Sequence, residues 1–132
     1  MNDKTFKPFL DVFLEAWKNP SIREFEKFIS TDYRAREIRD GEIVDFGYEE
    51  SIEGWKQGFD FVKKQHAEWE IHEVSIIPMK EDEVMAILSA TIVLNGEAME
   101  TCHLFFDTFK KGDNWKIVRS YIETGVVRGT DL

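Results

Sequence analysis

Residues 69–125, WEIHEVSIIPMKEDEVMAILSATIVLNGEAMETCHLFFDTFKKGDNWKIVRSYIETG, decide the fold of this chain. β-Branched and aromatic residues dominate the stretch and short polar turns interrupt it, which predicts four consecutive strands. These strands run from Trp69 to Met79, Val84 to Leu94, Glu97 to Phe109 and Asn114 to Thr124. Asn95-Gly96 favours a type I′ hairpin turn, because both residues tolerate positive φ. The stretch therefore predicts a long antiparallel meander.

Three helices and a short hairpin are predicted before the meander. The first helix spans about Thr5 to Lys18, and Phe6, Leu10, Phe13 and Trp17 recur on one face at helical spacing. Ser21 opens the second helix with the Ser21–Glu24 spacing of a capping box. The hairpin comprises Tyr33 to Ile38 and Glu42 to Tyr48, and the third helix runs from Ile52 to His66 with Ser51 as its cap. Helices grouped on one side of a mainly antiparallel sheet indicate an α+β fold.

Two glycines inside the third helix, Gly54 and Gly58, are unexpected, since each costs about 1 kcal/mol relative to Ala. The interpretation we favour from the sequence is close packing of this helix on the sheet. The alternative is that they leave room for a ligand beside Trp55. The apolar stripe of the helix, Ile52, Trp55, Phe59 and Val62, faces the core in either case.

Length and composition describe a single domain spanning residues 1–132. The formal net charge of −9 disfavours nucleic acid and anionic membranes as partners. A lone cysteine, Cys102, excludes an internal disulfide and fits a reducing compartment. Residues 1–5 lack the apolar segment of a signal peptide, and no apolar run reaches transmembrane length. We therefore expect a cytoplasmic protein.

Several loose motifs resemble one family. Phe13-Leu14-Glu15-Ala16-Trp17, Asp40-Gly41 followed by Ser51-Ile52-Glu53-Gly54-Trp55, and Gly112-Asp113-Asn114-Trp115-Lys116-Ile117-Val118 are similar to segments of the nuclear-transport-factor-2-like superfamily. That group includes SnoaL-like polyketide cyclases, and the last motif also resembles the association domain of calmodulin-dependent kinases. The resemblance covers nearly the whole chain but concerns structure rather than catalysis.

The resemblance implies a cystatin-like α+β roll, in which three N-terminal helices wrap a highly curved, cone-shaped sheet. It also implies a pocket at the mouth of the cone and a homodimer through the outer face of the sheet. Tyr33, Arg36 and Tyr48 would border that mouth, and Trp17 and Trp55 would form part of its wall. The alternative is a purely structural role: rim packing for the first three residues and core packing for the two tryptophans.

The strand period leaves the two faces of the sheet hard to assign, since both are partly apolar. Counting from the Asn95-Gly96 turn places Leu88 opposite His103. We expect the face with Leu104, Phe106, Val118 and Ile122 to contact the helices. The other face, with Ala86, Leu88, Ala90 and Ile92 beside Tyr121, would then form the dimer interface. If the faces are reversed, the polar residues on that side, such as His103, line the pocket.

The sequence contains few candidate catalytic or metal-binding residues. His103 is a candidate ligand or catalytic residue because imidazole titrates near neutrality, although an interface or core histidine is the commoner case. Asp107 and Glu123 are interpreted as solvated carboxylates. The three histidines lack metal-site spacing, and no phosphate loop or nucleophile elbow is present, so we expect no metal and no cofactor.

Two classes of function remain. The first is binding of an apolar or aromatic small molecule in the cone, with a cofactor-independent isomerase, cyclase or dehydratase as its catalytic form. The second is a non-catalytic dimerisation or assembly module. A cavity holding a buried carboxylate or histidine favours the first, and a cavity filled by aromatic side chains favours the second.

Overall fold

The computed structural model describes residues 4–127 and has the expected α+β architecture. The helices are α1, Phe6–Lys18; α2, Ile22–Phe25, which continues into a 3₁₀ turn, Glu26–Phe28; and α3, Tyr48–Lys64. The strands are β1, Ile29–Arg39; β2, Glu42–Gly47; β3, Glu68–Lys80; β4, Glu83–Leu94; β5, Glu97–Ala98; β6, Thr101–Lys111; and β7, Trp115–Val127. Among these residues, no helix is long and apolar enough to cross a membrane.

The strands form one open, mainly antiparallel sheet in the order β2-β1-β7-β6-β4-β3, and β5 pairs with β4. The meander from β3 to β7 is confirmed. The β1–β2 hairpin joins it through β1, which lies parallel to β7, the one parallel pair in the described sheet.

The Asn95-Gly96 turn has the predicted positive φ values of 54° and 79°. Leu94 pairs with Glu97 as expected. The chain then leaves the ladder between β5 and β6, so that His103 lies opposite Ala90 instead of Leu88. The shift is by two positions, so His103 keeps the predicted side of the sheet relative to Leu88 and Ala90.

The predicted assignment of the sheet faces is wrong for β4 and β6. Ala86, Leu88 and Ala90 are buried in the core beneath the helices, and Phe105 and Phe109 join them there. Leu104 and Phe106 alternate with these core residues and face outward. The face with His103 and Asp107 is therefore the inner one, which is the reversed alternative.

A β-bulge in β7 explains this error. Phe109 pairs with Ile117 and Thr108 with Arg119, so Val118 is the extra residue in β7. Ile117 and Ser120, three positions apart, consequently share the inner face. The sequence pattern alone does not show such an insertion, and each face of β6 is apolar enough to be the buried one.

The start of α3 also differs from the prediction. Gly47, not Ser51, is the N-cap, and the Glu50 carboxylate accepts a hydrogen bond from the Gly47 N–H at 3.1 Å. The helix thus begins four residues earlier, with Glu49 and Glu50 in its first turn, where carboxylates interact favourably with the helix dipole. Ser51 is left inside the helix with its side chain buried. The predicted Ser21 cap of α2 is confirmed by the bond from the Glu24 N–H to Ser21 Oγ.

Candidate functional site

A cavity of about 400 Å³ lies between α3, the β1–β2 hairpin and the inner face of the sheet. Five apolar side chains, four of them aromatic, form part of its wall: Phe46, Trp55, Trp69, Phe105 and Ile122. Exposed residues at its edge, among them Arg39, Glu50 and Gln57, mark the opening. Its size and lining suit a small organic molecule.

Gly54 and Gly58 form the α3 side of this cavity. A Cβ atom built on either glycine meets no atom within 4 Å. The close-packing interpretation of these glycines is therefore wrong. They leave space next to Trp55, at the cost in helix stability that the sequence already indicated.

Tyr33 lines the cavity, and a small buried polar cluster lies around it. Asp107 is only 1 % exposed, and its Oδ1 accepts a hydrogen bond from Ser120 Oγ at 2.7 Å. Burial raises the pKa of Asp107 to about 7, although the Ser120 hydrogen bond opposes the rise. Burial and, next, the Asp107 charge raise the pKa of Tyr33, so the phenol keeps its proton.

Asp107 is a residue that sequence reasoning missed, since it was interpreted as solvated. It alternates with Phe105 and Phe109 along β6, so a correct choice of face would have revealed its burial. It is not among the residues that line the cavity, and it acts there through Tyr33, whose pKa its charge raises.

His103 lines the cavity and is half-buried. Burial lowers the pKa of its imidazole, and the nearby Glu37 carboxylate only partly opposes this effect. The neutral ring can therefore accept a proton or a hydrogen bond at pH 7. Glu37 also lines the cavity and forms an ion pair with Arg39 at the rim.

Two residues that line the cavity have a fully buried polar atom without a hydrogen-bond partner of ordinary geometry among the described residues: Ser51 at Oγ and Trp69 at Nε1. Trp17 Nε1, behind the cavity, likewise lacks one. Ser51 is 2 % exposed. It lies close enough to Tyr33 to oppose the rise in that residue's pKa, but without ordinary hydrogen-bond geometry. Neither Ser51 nor Trp69 was a candidate from the sequence, because Ser51 was assigned to the helix cap and Trp69 to a strand end.

The six predicted ligand-binding residues are distributed over three regions. Tyr33, Trp55 and His103 meet in the cavity. Trp17 is fully buried behind it, with its ring centroid 4.9 Å from that of Trp55. Tyr48 begins α3 and packs against the core. The binding role of these residues stays a prediction.

Arg36 lies on the opposite face of the sheet from the cavity. Tyr33, Ala35 and Glu37 of β1 point inward, and Arg36 points outward. There its Nε and Nη2 donate hydrogen bonds to Asp45 Oδ1 and Oδ2 at 2.7 and 2.8 Å. This bidentate ion pair raises the pKa of Arg36 and lowers the pKa of Asp45. Arg36 therefore does not border this cavity.

A wider groove of about 520 Å³ lies on that outer face, between Arg36 and Arg119. Of the three arginines that line it, Arg36 is bound by Asp45 and Arg119 by Glu83, and Arg34 is the third. Phe46 is the one aromatic residue that lines the groove, whereas several aromatic residues line the inner cavity, so we regard the inner cavity as the candidate site. Within residues 4–127, no cluster of three His, Cys, Asp or Glu residues is arranged to hold a metal ion.

Comparison with known proteins finds similarity in structure but not in sequence. No family model matches the chain, and no curated protein sequence matches it. A nuclear-transport-factor-2-like protein of unknown function from Pseudomonas putida KT2440 superposes with a TM-score of 0.71 at 7 % identity. The match covers 96 % of this chain and 94 % of that one.

Two further solved structures carry functional words in their names. A calcium/calmodulin-dependent protein kinase type II association domain from Thiobacillus denitrificans has a TM-score of 0.66 at 16 % identity, covering 86 % of this chain and 90 % of that one. A ketosteroid isomerase-like protein from Erwinia carotovora atroseptica has a TM-score of 0.63 at 11 % identity, covering 89 % and 92 %. At these identities the likeness establishes the fold, a cystatin-like α+β cone, and not the activity.

Proposed function

On this nuclear-transport-factor-2-like fold, we propose that the protein binds an apolar or aromatic small molecule in the inner cavity. The observation that carries the proposal is the aromatic-walled space that Gly54 and Gly58 keep open. An assembly module has no need of two destabilising glycines facing an empty volume. Trp55, Trp69 and Phe105 offer flat apolar surfaces, which favour an aromatic ligand.

Catalysis by such a site would depend chiefly on His103. It is the one lining residue described here that combines a neutral, basic ring with burial. Tyr33 keeps its proton too firmly to act as an acid, and Asp107 reaches the cavity only through Tyr33. A single base beside a bound carbonyl compound fits a cofactor-independent isomerase, cyclase or dehydratase, but binding is the primary function that we propose.

Binding is tested by titrating the protein with steroids, polyketide-like aromatics and hydrophobic carboxylates while tryptophan emission and melting temperature are recorded. Trp55 and Trp69 line the cavity, so a bound ligand changes their emission. Gly58→Leu fills the cavity and should abolish the response while the protein stays folded. Lys56→Leu adds the same side chain at an exposed position of α3 and serves as the control.

Undiminished binding by Gly58→Leu would show that the ligand lies elsewhere. A panel without any effect on emission or melting temperature of the wild type would remove the support for a binding function.

A second candidate function, homodimerisation, is favoured by the outer face of the sheet. Ile77 and Tyr121 are each 40 % exposed there, and the half-buried Ile87, Leu104 and Phe106 lie between them. Charged residues such as Arg36 and Glu123 surround this apolar strip, as at many subunit interfaces. We propose that a second copy of the chain covers it.

Of the residues first expected at this interface, Ala86, Leu88 and Ala90 are core residues, so Leu88→Asp would unfold the protein instead of separating subunits. Phe106→Glu is the appropriate variant, with Val12→Glu on the exposed side of α1 as the control. Sedimentation should show wild type and control as dimers and Phe106→Glu as a folded monomer. A monomeric wild type at micromolar concentration would contradict the proposal.

A further inference from the structure

The charged groups that line the inner cavity restrict what it can hold. Among the described lining residues, Glu37 and Glu50 are carboxylates and Arg39 is the one guanidinium or ammonium group. Burial lowers the pKa of His103, so its imidazole is neutral at pH 7 and adds no positive charge. The lining therefore has an excess of negative charge. The whole chain carries a formal net charge of −9, so its long-range potential has the same sign.

Glu37 places part of this negative charge inside the cavity. It lies beside Ile122 in the β1–β7 ladder, on the inner face of the sheet, and 17 % of its side chain is exposed. Its ion-pair partner Arg39 lies at the rim, with 56 % of its side chain exposed. Because the guanidinium is mostly in solvent, its contact with the carboxylate is weakly held. A cation that enters the cavity can therefore replace Arg39 at Glu37, while Arg39 turns into solvent.

The aromatic walls favour the same kind of ligand. The rings belong to β2, α3, β3 and β6, so they lie on different sides of the space: Phe46, Trp55, Trp69 and Phe105. The face of an aromatic ring attracts a cation within about 6 Å of its centre, most strongly where the cation is removed from water. A ligand that combines an aromatic ring with a positive charge would use both the rings and the carboxylate.

An anionic ligand would meet the opposite conditions. It would lie near the Glu37 and Glu50 carboxylates, and the charge of Arg39 is already offset by Glu37. A buried anion without a counter-charge is costly. The cavity should therefore discriminate among ligands of one shape by the sign of their charge.

We infer that the ligand is an aromatic ammonium compound whose ring lies against Trp55 and Phe105 and whose positive charge lies beside the Glu37 carboxylate. This inference rests on the proposed binding function and specifies its ligand class. Glu37 is thus a binding residue, and Arg39 competes with the ligand for it.

Three naphthalenes of matched shape test the ligand class: naphthylmethyltrimethylammonium, its uncharged carbon isostere neopentylnaphthalene, and the anion naphthylacetate. The change in emission of Trp55 and Trp69, which line the cavity, reports binding. The ammonium compound should bind roughly tenfold more tightly than its isostere, because the two differ only in the charge that the rings and Glu37 attract. Naphthylacetate should bind most weakly.

Two variants of the ion pair should have opposite effects. Glu37→Gln keeps the size of the side chain and should lower the affinity for the ammonium compound about tenfold, without changing the affinity for neopentylnaphthalene. Arg39→Gln removes the competing cation and should raise the affinity for the ammonium compound about two- to fivefold. An ion pair with a purely structural role would instead weaken the binding of all ligands when either partner is removed.

The Arg36–Asp45 ion pair on the outer face supplies matched controls. Asp45→Asn and Arg36→Gln change the net charge of the chain as Glu37→Gln and Arg39→Gln do, but outside the cavity. Neither control should alter the ratio of the affinities for the ammonium compound and its isostere. A ratio that changes equally in controls and cavity variants would mean that the charge of the whole chain, and not Glu37, selects the ligand.

The outcomes separate this inference from the proposed function. Equal affinities for the ammonium compound and neopentylnaphthalene, or a preference for naphthylacetate, would overturn the ligand class while binding in the cavity stands. Undiminished binding of the ammonium compound by Glu37→Gln, or weaker binding by Arg39→Gln, would overturn the role of this carboxylate. If no naphthalene binds but a steroid or polyketide-like aromatic does, the ligand class alone fails. If nothing binds, the proposed function fails with it.

Discussion

α1 and α3 lie over the same side of the sheet, yet one packs solidly and the other leaves a cavity. α1 directs an apolar side chain inward at every turn. The ring centroid of Phe13, for example, lies 5.2 Å from that of Phe109 and 4.9 Å from that of Phe25. α3 also buries Phe59 and Val62, but Gly54 and Gly58 beside them line the cavity and have no side chain to fill it. The difference shows that one sheet supports both a filled core and an open site, and that the helix side chains decide which one forms.

The largest expected effect comes from creating a cavity in the close-packed core beneath α1. Phe13→Ala should lower the free energy of unfolding by about 3–5 kcal/mol, because it removes a fully buried ring from a close-packed cluster. Urea denaturation measures the loss. Phe61→Ala, which truncates a half-exposed ring on α3, is the control and should cost far less. Similar losses from the two variants would contradict the contrast between the helices.

An intermediate effect is expected at Asp107, next to the cavity. Because burial raises the pKa of this carboxyl to about 7, the folded state binds the proton more tightly than the unfolded chain. The stabilising contribution is fully present below the ordinary carboxyl pKa and is lost as the pH rises to about 7. Stability of the wild type should therefore fall across this window.

Asp107→Asn keeps the acceptor for Ser120 and removes the titration. Between pH 4 and pH 8, its free energy of unfolding should rise relative to that of the wild type by on the order of a few kcal/mol. Denaturation measured at both pH values tests this, with the exposed Asp60→Asn as the control. A constant difference between Asp107→Asn and the wild type would mean that Asp107 is ionised throughout.

The smallest effect is expected at the two glycines of α3 that line the cavity. Gly58→Ala should raise the free energy of unfolding by about 1 kcal/mol, since alanine favours the helix and the added methyl group meets no atom within 4 Å. Thermal melts of Gly58→Ala and Gly54→Ala should both show the increase. A destabilised Gly58→Ala would restore the close-packing interpretation that the structure contradicts.

Local sequence signals were sufficient for most of the architecture. Asn95-Gly96 located its hairpin, the spacing of Phe6, Leu10, Phe13 and Trp17 defined the buried side of α1, and Ser21 marked the start of α2. These features depend on neighbouring residues, so a single sequence contains the information.

The faces of the sheet and the site depended on long-range geometry. The extra residue at Val118 and the break between β5 and β6 change which positions meet, and neither has a signature in the residues around it. The structure brings Tyr33 and Trp55 to one cavity, as the resemblance implied. His103 joins them only under the reversed assignment of the faces, and the burial of Asp107 required the same reversal. Ser51 was missed because Gly47, four residues earlier, is the actual cap.

The parallel pairing of β1 with β7 has a consequence for synthesis on the ribosome. β1 is made early, but its neighbour in the sheet is the last described strand, which pairs Ile29 with Ile117 and Ile38 with Glu123. Such a long-range pairing is slow to form, and a partly made chain cannot form it at all. Until β7 emerges, one edge of β1 is unpaired and the β1–β2 hairpin that forms one wall of the cavity has no sheet to join. The cavity is therefore completed only by the end of the described chain, and the growing polypeptide carries an open strand edge until then.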